Sequence, residues 1–215
     1  MTPSSPRRPY HHGDLRKSLI ASALDVVERE GWEALSIKDL AERAGVARSA
    51  PYRHFESRDD LLAAVAAEAF GDLIAVLDAT ASATSSSSRL RAACEAMLGF
   101  ADRRPHLFRL MFRSDLLVRA GGPPAELAEP AGVAYVRFEE IVASVTPDAD
   151  IETIKSSTVA IWSMIFGFAV LSAEGRIKPF MLDPVPQAAV RRRLLDIAAA
   201  AFDPGLGSTQ PETDV

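Results

Sequence analysis

A single cysteine, Cys94, stands among 215 residues, so the chain cannot form an internal disulfide. That suits a reducing compartment, and a cytoplasmic location is expected. Cys94 falls in the Ala-rich helical run RLRAACEAMLGFA, where a buried, inert thiol is expected rather than a redox sensor. Histidine is scarce as well, and His106 is the only one beyond residue 60. No G-x-S-x-G, H-E-x-x-H or P-loop pattern occurs, and the acids are scattered. No catalytic residue, metal site or cofactor is therefore expected, and an enzyme is disfavoured. Aromatics make up only 7% of the chain and β-branched runs are few, while alanine is abundant, which makes an all-α fold the default. The N-terminus has no apolar h-region, so no secretory signal is expected. One long uncharged run, Ser156–Ala173, approaches the length of a membrane span. Its serines, threonine and glycine argue against a span, as does the lack of a basic or aromatic frame, so no membrane is expected. A helix buried at a subunit interface is the better reading.

The net charge of −5 gives no support to nucleic-acid binding by itself. The first 60 residues carry 10 Lys+Arg and 10 Asp+Glu, so the excess of acid lies beyond residue 60. Residues 1–13 contain Arg7, Arg8, His11 and His12 and no acid. They read as a flexible basic arm, either one that follows a minor groove or a plain tail.

What the chain does contain is a patterned stretch, SIKDLAERAGVARSAPYRHFESRDDLL, at 36–62. Ser36 is a good N-cap, with Asp39 three residues on. Ile37, Leu40, Ala41 and Ala44 then recur at helical spacing on one face. Gly45 stands where a left-handed C′ residue is wanted, and Val46 follows to pack. A second helix over 48–54 presents Arg48, Ser49, Tyr52, Arg53 and His54 to a partner. That is a helix-turn-helix pattern, whose second helix reads base edges in a major groove. Arg48 suits a bidentate contact to guanine, Ser49 suits several bases, and Ala50 and Pro51 offer apolar surface to a thymine methyl. Pro51 fits the first turn of that helix, where a missing N–H costs nothing. Tyr52 and His54 read as backbone contacts, and Ser36, Lys38 and Arg58 stand near helix starts that would face phosphates. Phe55 reads as core.

Supporting helices flank the motif at about 14–30 and 58–78, the first with an apolar stripe of Leu19, Ile20, Ala23, Leu24 and Val27. Taken together, residues 10–65 resemble the TetR family of transcriptional regulators. The aromatic at Tyr52 and the His54-Phe55 pair match what that family places there. The resemblance implies a DNA-binding domain over 14–60 and a C-terminal ligand-binding and dimerisation domain over 61–203. The helix at 58–78 connects them, and a disordered tail follows over 204–215.

Beyond a Ser/Thr/Ala-rich linker at 79–89, helices are expected at about 89–101, 104–112, 125–144, 151–174 and 187–202, with Ala120–Pro124 as a loop. The run from Trp162 to Gly167 resembles the W-x3-H-G motif of one class of TetR-family C-terminal domains, with Phe166 in place of the His. The stretch RRPHLFRLMFR at 103–113 resembles the same class. The resemblance implies a homodimer joined through the helices at 151–174 and 187–202, with Ile161 and Phe168 as outward apolar positions, and a cavity for a small-molecule effector. His106, Phe108, Met111, Phe112, Tyr135, Phe138, Trp162 and Phe166 are the candidate lining, and at helical spacing such residues serve equally as plain core. Their chemistry points to a mostly apolar effector. The expected function is a repressor that binds a near-palindromic double-stranded operator and is released by that effector. The rival is a constitutive or architectural DNA-binding protein without a ligand.

Overall fold

The structure, a computed structural model, describes residues 12–83, 85–117 and 122–200. It is all-helical, with no strand among the described residues. In chain order the helices are α1 (His12–Glu30), α2 (Ile37–Arg43), α3 (Arg58–Asp78), α4 (Ser86–Arg103), α5 (Pro105–Met111), α6 (Ser114–Leu117), α7 (Ala125–Ala143), α8 (Ile151–Ala173), α9 (Pro179–Leu182) and α10 (Gln187–Ala200). Short 3-10 turns cover Trp32–Ala34, Pro51–Arg53 and Ala79–Ser82.

Local chemistry sets the ends of these helices. Ser36, Ser57, Ser85 and Asp150 each accept a hydrogen bond from the backbone N–H three residues on, at the starts of α2, α3, α4 and α8. The serine-rich stretch is therefore not simply a linker: Ser85 supplies the cap of α4, which begins at Ser86 rather than near 89. Ala79–Ser82 is likewise wound into a 3-10 turn, with the Thr80 hydroxyl donating to the Leu77 carbonyl at 2.7 Å. Gly31 ends α1 with φ +86°, and a Cβ there would stand 2.9 Å from Glu33 Oε2.

α3 is the spine. Ten of its residues are buried, from Leu61 to Leu77. It packs on α1, α4, α5 and α7. One continuous apolar core therefore runs from Leu15 in α1 to Ala198 in α10. α10 lies along α4, held by Arg191 to Glu95 and Asp102 and by Arg91 to Asp196. The basic arm expected over 1–13 overlaps α1, which begins at His12, while residues 1–11 and the 204–215 tail lie outside the described residues.

α8 is long and apolar enough to cross a membrane by length and composition, yet only 28% of its most apolar window is buried. Its inner face carries Ile161, Ile165 and Ala169. Ile161, expected to point outward, is 2% exposed and belongs to the core. Ile161 shares the inward side with Ser157, Thr158 and Ile165, and Val159, Ala160 and Ser163 lie outside.

Candidate nucleic-acid interface

The segment that follows α2 is built by backbone bonds. Val46 N–H donates to the Ala41 carbonyl at 3.0 Å and Gly45 N–H to the Glu42 carbonyl at 3.1 Å, with Gly45 at φ +65°. These two bonds are a Schellman stop, which ends α2 and turns the chain sharply. The expected second helix over 48–54 is tighter and shorter than an α-helix. Ala50 N–H bonds Ala47, Arg53 N–H bonds Ala50, and His54 N–H bonds Pro51, all three residues back. Pro51 is the physical cause, because it has no N–H to give to Ala47 and so cannot close an α-helical ring there. The result is a turn at 47–50 followed by the 3-10 turn Pro51–Arg53.

On this turn Arg48, Ser49, Tyr52 and Arg53 are exposed, with Tyr52 at 57%. Ala50 and His54 are half-buried, and Lys38 is exposed on α2. Pro51, read as surface for a thymine methyl, is instead buried: its ring packs inward and holds the turn to the core. Ser36 Oγ is already an acceptor for Asp39 N–H at 3.3 Å, leaving its hydroxyl hydrogen to donate. Arg58 is turned inward. Its Nε donates to the Leu35 carbonyl at 2.9 Å and its Nη2 to the Trp32 carbonyl, so its guanidinium ties the loop before α2 to the start of α3. Phe55 is core, 3% exposed, with the Arg16 guanidinium 5.1 Å over its ring.

The candidate effector residues fall into two groups. Phe108, Phe112, Phe138, Trp162 and Phe166 come together as a cluster of rings. Phe112 meets Trp162 at 5.0 Å, Phe166 at 5.2 Å, Phe108 at 5.0 Å and Phe70 at 5.5 Å, mostly edge-on. Trp162 and Phe166 are stacked, 6.3 Å apart and 9° from parallel. The Phe that replaces the expected His thus makes ring contacts rather than polar ones. Such pairs add about 0.5–1.5 kcal/mol each beyond the area they bury. Met111 is fully buried on the same short helix as Phe108.

The second group lies elsewhere. Tyr135 is not among these ring contacts; Lys155 Nζ sits 5.5 Å over its ring, and Lys155 pairs with Glu139 at 2.6 Å. Burial first, then the nearby Glu139, pushes its phenol above the usual range. His106 lies at the opposite border of α5, against the turn after α1, with Nδ1 3.3 Å from where a Cβ on Gly31 would stand.

Sequence reading missed a third set, the arginines of 104–113. Arg104 pairs with Glu28 of α1 at 2.5 Å and with Asp72 of α3. Arg109 stands 4.9 Å over the Trp32 ring and Arg113 6.0 Å over it. Arg113 also pairs with Asp59 of α3 at 3.3 Å and with Asp115 at 2.5 Å. Those partners, Asp115 first, raise its affinity for its proton and hold the Asp115 carboxyl below the usual range. The alternation of Arg with Phe, Leu and Met in RRPHLFRLMFR was the available signal: one face enters the core and the other carries charge to α1 and α3.

Comparison with known proteins agrees with this arrangement. Residues 19–65 match the family described as bacterial regulatory proteins, tetR family, and residues 90–198 match the tetracyclin repressor-like C-terminal domain. The chain is similar to an uncharacterized HTH-type transcriptional regulator of Mycobacterium tuberculosis, 25% identical over 170 residues, 79% of this chain and 75% of that one. It is also similar to the HTH-type transcriptional activator FasR of Mycolicibacterium smegmatis, 34% identical over 101 residues, 46% of each. Among solved structures, a protein of unknown function from Rhodococcus sp. RHA1 superposes with a TM-score of 0.74 at 28% identity, covering 91% of this chain and 99% of that one. The regulator PfmR from Thermus thermophilus shares the fold, with a TM-score of 0.57 at 18% identity over 84% and 96% of the two chains.

Proposed function

The chain belongs to the TetR family of DNA-binding transcriptional regulators, and on that premise we propose that it is a homodimeric repressor released from its operator by a small, mostly apolar effector. The family is one of regulators and not of enzymes. Arg48 and Ser49 read base edges, with Ala50 beside them, and Lys38, Tyr52, Arg53, His54 and Ser36 hold the phosphates. Arg58 and Pro51 are left out of that set, because both are engaged inside the protein. Double-stranded DNA is the partner, and a near-palindromic operator follows from a two-fold dimer with one turn per half-site. A regulator that acts on DNA works in the cytoplasm.

One observation carries the ligand-responsive part. Phe112 and Arg113 are consecutive, and they face different halves of the molecule. Phe112 packs on Trp162, while Arg113 reaches Trp32 and Asp59 beside the DNA-binding turn. A ligand that parts the rings at Phe112 must move the backbone of Arg113 too. It changes operator affinity only if it binds the two arrangements unequally; a 100-fold change needs about 2.7 kcal/mol of such difference. The apolar outer face of α8, together with α10, is then covered by the second subunit rather than by lipid. Residues 14–60 and 61–203 act as reader and sensor, with α3 as the link.

The test pairs fluorescence with DNA release. A panel of apolar small molecules is titrated onto the protein bound to labelled DNA from upstream of its own gene. Compounds that release DNA should quench or shift Trp162 emission in step, and Arg113→Met should keep DNA binding while losing the release. Release with unchanged tryptophan emission, and undiminished in Arg113→Met, would place the effector elsewhere. A second reading, activation rather than repression, draws on the similarity to FasR, which is named an activator. A promoter fusion with and without the protein decides between the two by the sign of its response.

A further inference from the structure

The turn at 47–54 is anchored at both ends. Val46 packs against the core before it, and its N–H is bonded to the Ala41 carbonyl. Phe55 belongs to the core after it. The N–H groups of His54 and Phe55 both donate to the Pro51 carbonyl, at 2.9 and 3.0 Å, and the Pro51 ring is itself buried. Between these anchors the winding of the backbone decides which exposed side chains stand together.

That winding is not the one an α-helix would give. An α-helix advances about 100° per residue and a 3-10 turn about 120°. Arg48 and Tyr52, four residues apart, would stand within about 40° of each other on an α-helix, but are about 120° apart on a three-residue turn. Ser49 and Tyr52, three residues apart, would be split by about 60° on an α-helix, but are eclipsed on a three-residue turn. The bonds from Ala50 to Ala47 and from Arg53 to Ala50 follow the three-residue pattern. Arg48, Ser49 and Tyr52 are all exposed, so the winding alone selects the pair that shares a side. Pro51 makes the selection. The first α-helical ring would need an N–H at position 51 for the Ala47 carbonyl, and proline has none and crowds that carbonyl with its ring.

We propose that Pro51 is a specificity-determining residue that touches no base: it pairs Ser49 with Tyr52 as one ridge and sets Arg48 on a separate side of the turn. Tyr52 then holds a phosphate with Ser49 beside it on the adjoining base pair, and Arg48 reads a base displaced from that pair. Phosphate contacts fix the register of a protein on the duplex, so the angle between Tyr52 and Arg48 decides which base pair Arg48 meets. Pro51 is a positioning residue in this scheme and acts through the three side chains it arranges. The inference rests on the turn at 47–54 being the DNA reader, and it is independent of how two subunits join.

The experiment selects binding sites from a randomised duplex pool with the full wild-type chain, with Pro51→Ala and with Pro51→Leu. Both variants regain an N–H that can close the α-helical ring to Ala47. They should still bind DNA, and the half-site they enrich should differ from that of the wild type. A merely structural role would lower melting and the amount of active protein while leaving the half-site as it was. Folded variants that enrich the wild-type half-site would therefore overturn the proposal. A double-mutant cycle on the wild-type background tests it without those variants, using exposed residues only. Ser49→Ala and Tyr52→Phe should be coupled, by about twofold or more in Kd, while Arg48→Ala and Tyr52→Phe should be additive. Coupling of Arg48 with Tyr52 in place of Ser49, or additivity of both pairs, would overturn it and leave the turn as the reader. A wild-type chain that enriches no sequence would overturn the reader as well.

Discussion

The Nε of Arg58 donates to the backbone carbonyl of Leu35 at 2.9 Å, and the same guanidinium reaches the carbonyl of Trp32. The first residue of α3 thereby grips the loop that leads into α2. The loop before α2 is fixed in this way to the helix that runs on into the rest of the molecule. Arg58→Gln should lower stability by about 1–3 kcal/mol, since two carbonyls lose a charged donor. For a chain of this size that is a fall in melting temperature of roughly 2–4 °C per kcal/mol. The folded fraction should keep its sequence preference. A variant with unchanged melting but uniformly weakened DNA binding would return Arg58 to the phosphate contacts.

Arg48 and Tyr52 should separate in a binding assay. Arg48→Ala should cost about 1–3 kcal/mol and relax preference at one base pair. Tyr52→Phe removes only a hydroxyl, and should weaken binding to every sequence alike. Competition assays with single-base operator variants give the comparison. Equal, sequence-blind losses would make Arg48 another phosphate contact.

Much of this was legible in the sequence, for identifiable reasons. α3 matched its expected bounds because Ser57 and Asp60 make the cap that the spacing implied. Gly45 and Val46 likewise announced their Schellman stop. The second motif helix did not appear as expected, because Pro51 is compatible with a first turn and equally with a 3-10 turn, and only the bonds decide. Pro51 and Arg58 read as DNA contacts because the features that engage them are not local: Pro51 is buried, and Arg58 is half-buried and bonded to the Leu35 and Trp32 carbonyls, more than twenty residues back. Ile161 failed for a related cause, since in a helix apolar all round the sequence marks no inner face. Phe108, Phe112, Phe138, Trp162 and Phe166 were read as cavity lining or plain core and stand as packed rings, while Phe70 and the arginines beside them were not named. The partners of those arginines, Glu28, Trp32, Asp59 and Asp72, lie tens of residues away.

Val159 and Ile161 offer a controlled pair on α8. Val159 is 54% exposed, and Ile161 is 2% exposed. Val159→Glu should leave each subunit folded and weaken the dimer by sedimentation. Ile161→Glu should destabilise the subunit itself, by about 3 kcal/mol or more, because a carboxylate would be buried unpaired. Intact folding in both variants with an unaltered dimer would move the interface off α8.

Cys94 is fully buried, and burial raises its thiol from an ordinary 9.0 to about 12. A thiol reagent at neutral or mildly alkaline pH should therefore label the protein only as it unfolds. The folded state holds this proton more tightly than the unfolded one, so its contribution is intact below pH 9 and is lost between pH 9 and about 12. Labelling rate against pH, compared with the unfolding rate, checks it. Rapid labelling of the native protein at pH 8 would contradict the burial.

Sequence reading by a dimer of this chain, through the turn at 47–54, is tested most directly by selecting binding sites from a fully randomised duplex pool. Such a selection works without a known operator. Enrichment of a near-palindrome is expected, with half-sites about 34–36 Å apart or a multiple of it. Repeating the selection with Arg48→Ala should change the enriched half-site. A pool that emerges without any preferred sequence at moderate salt would contradict the assignment of this turn as the reader.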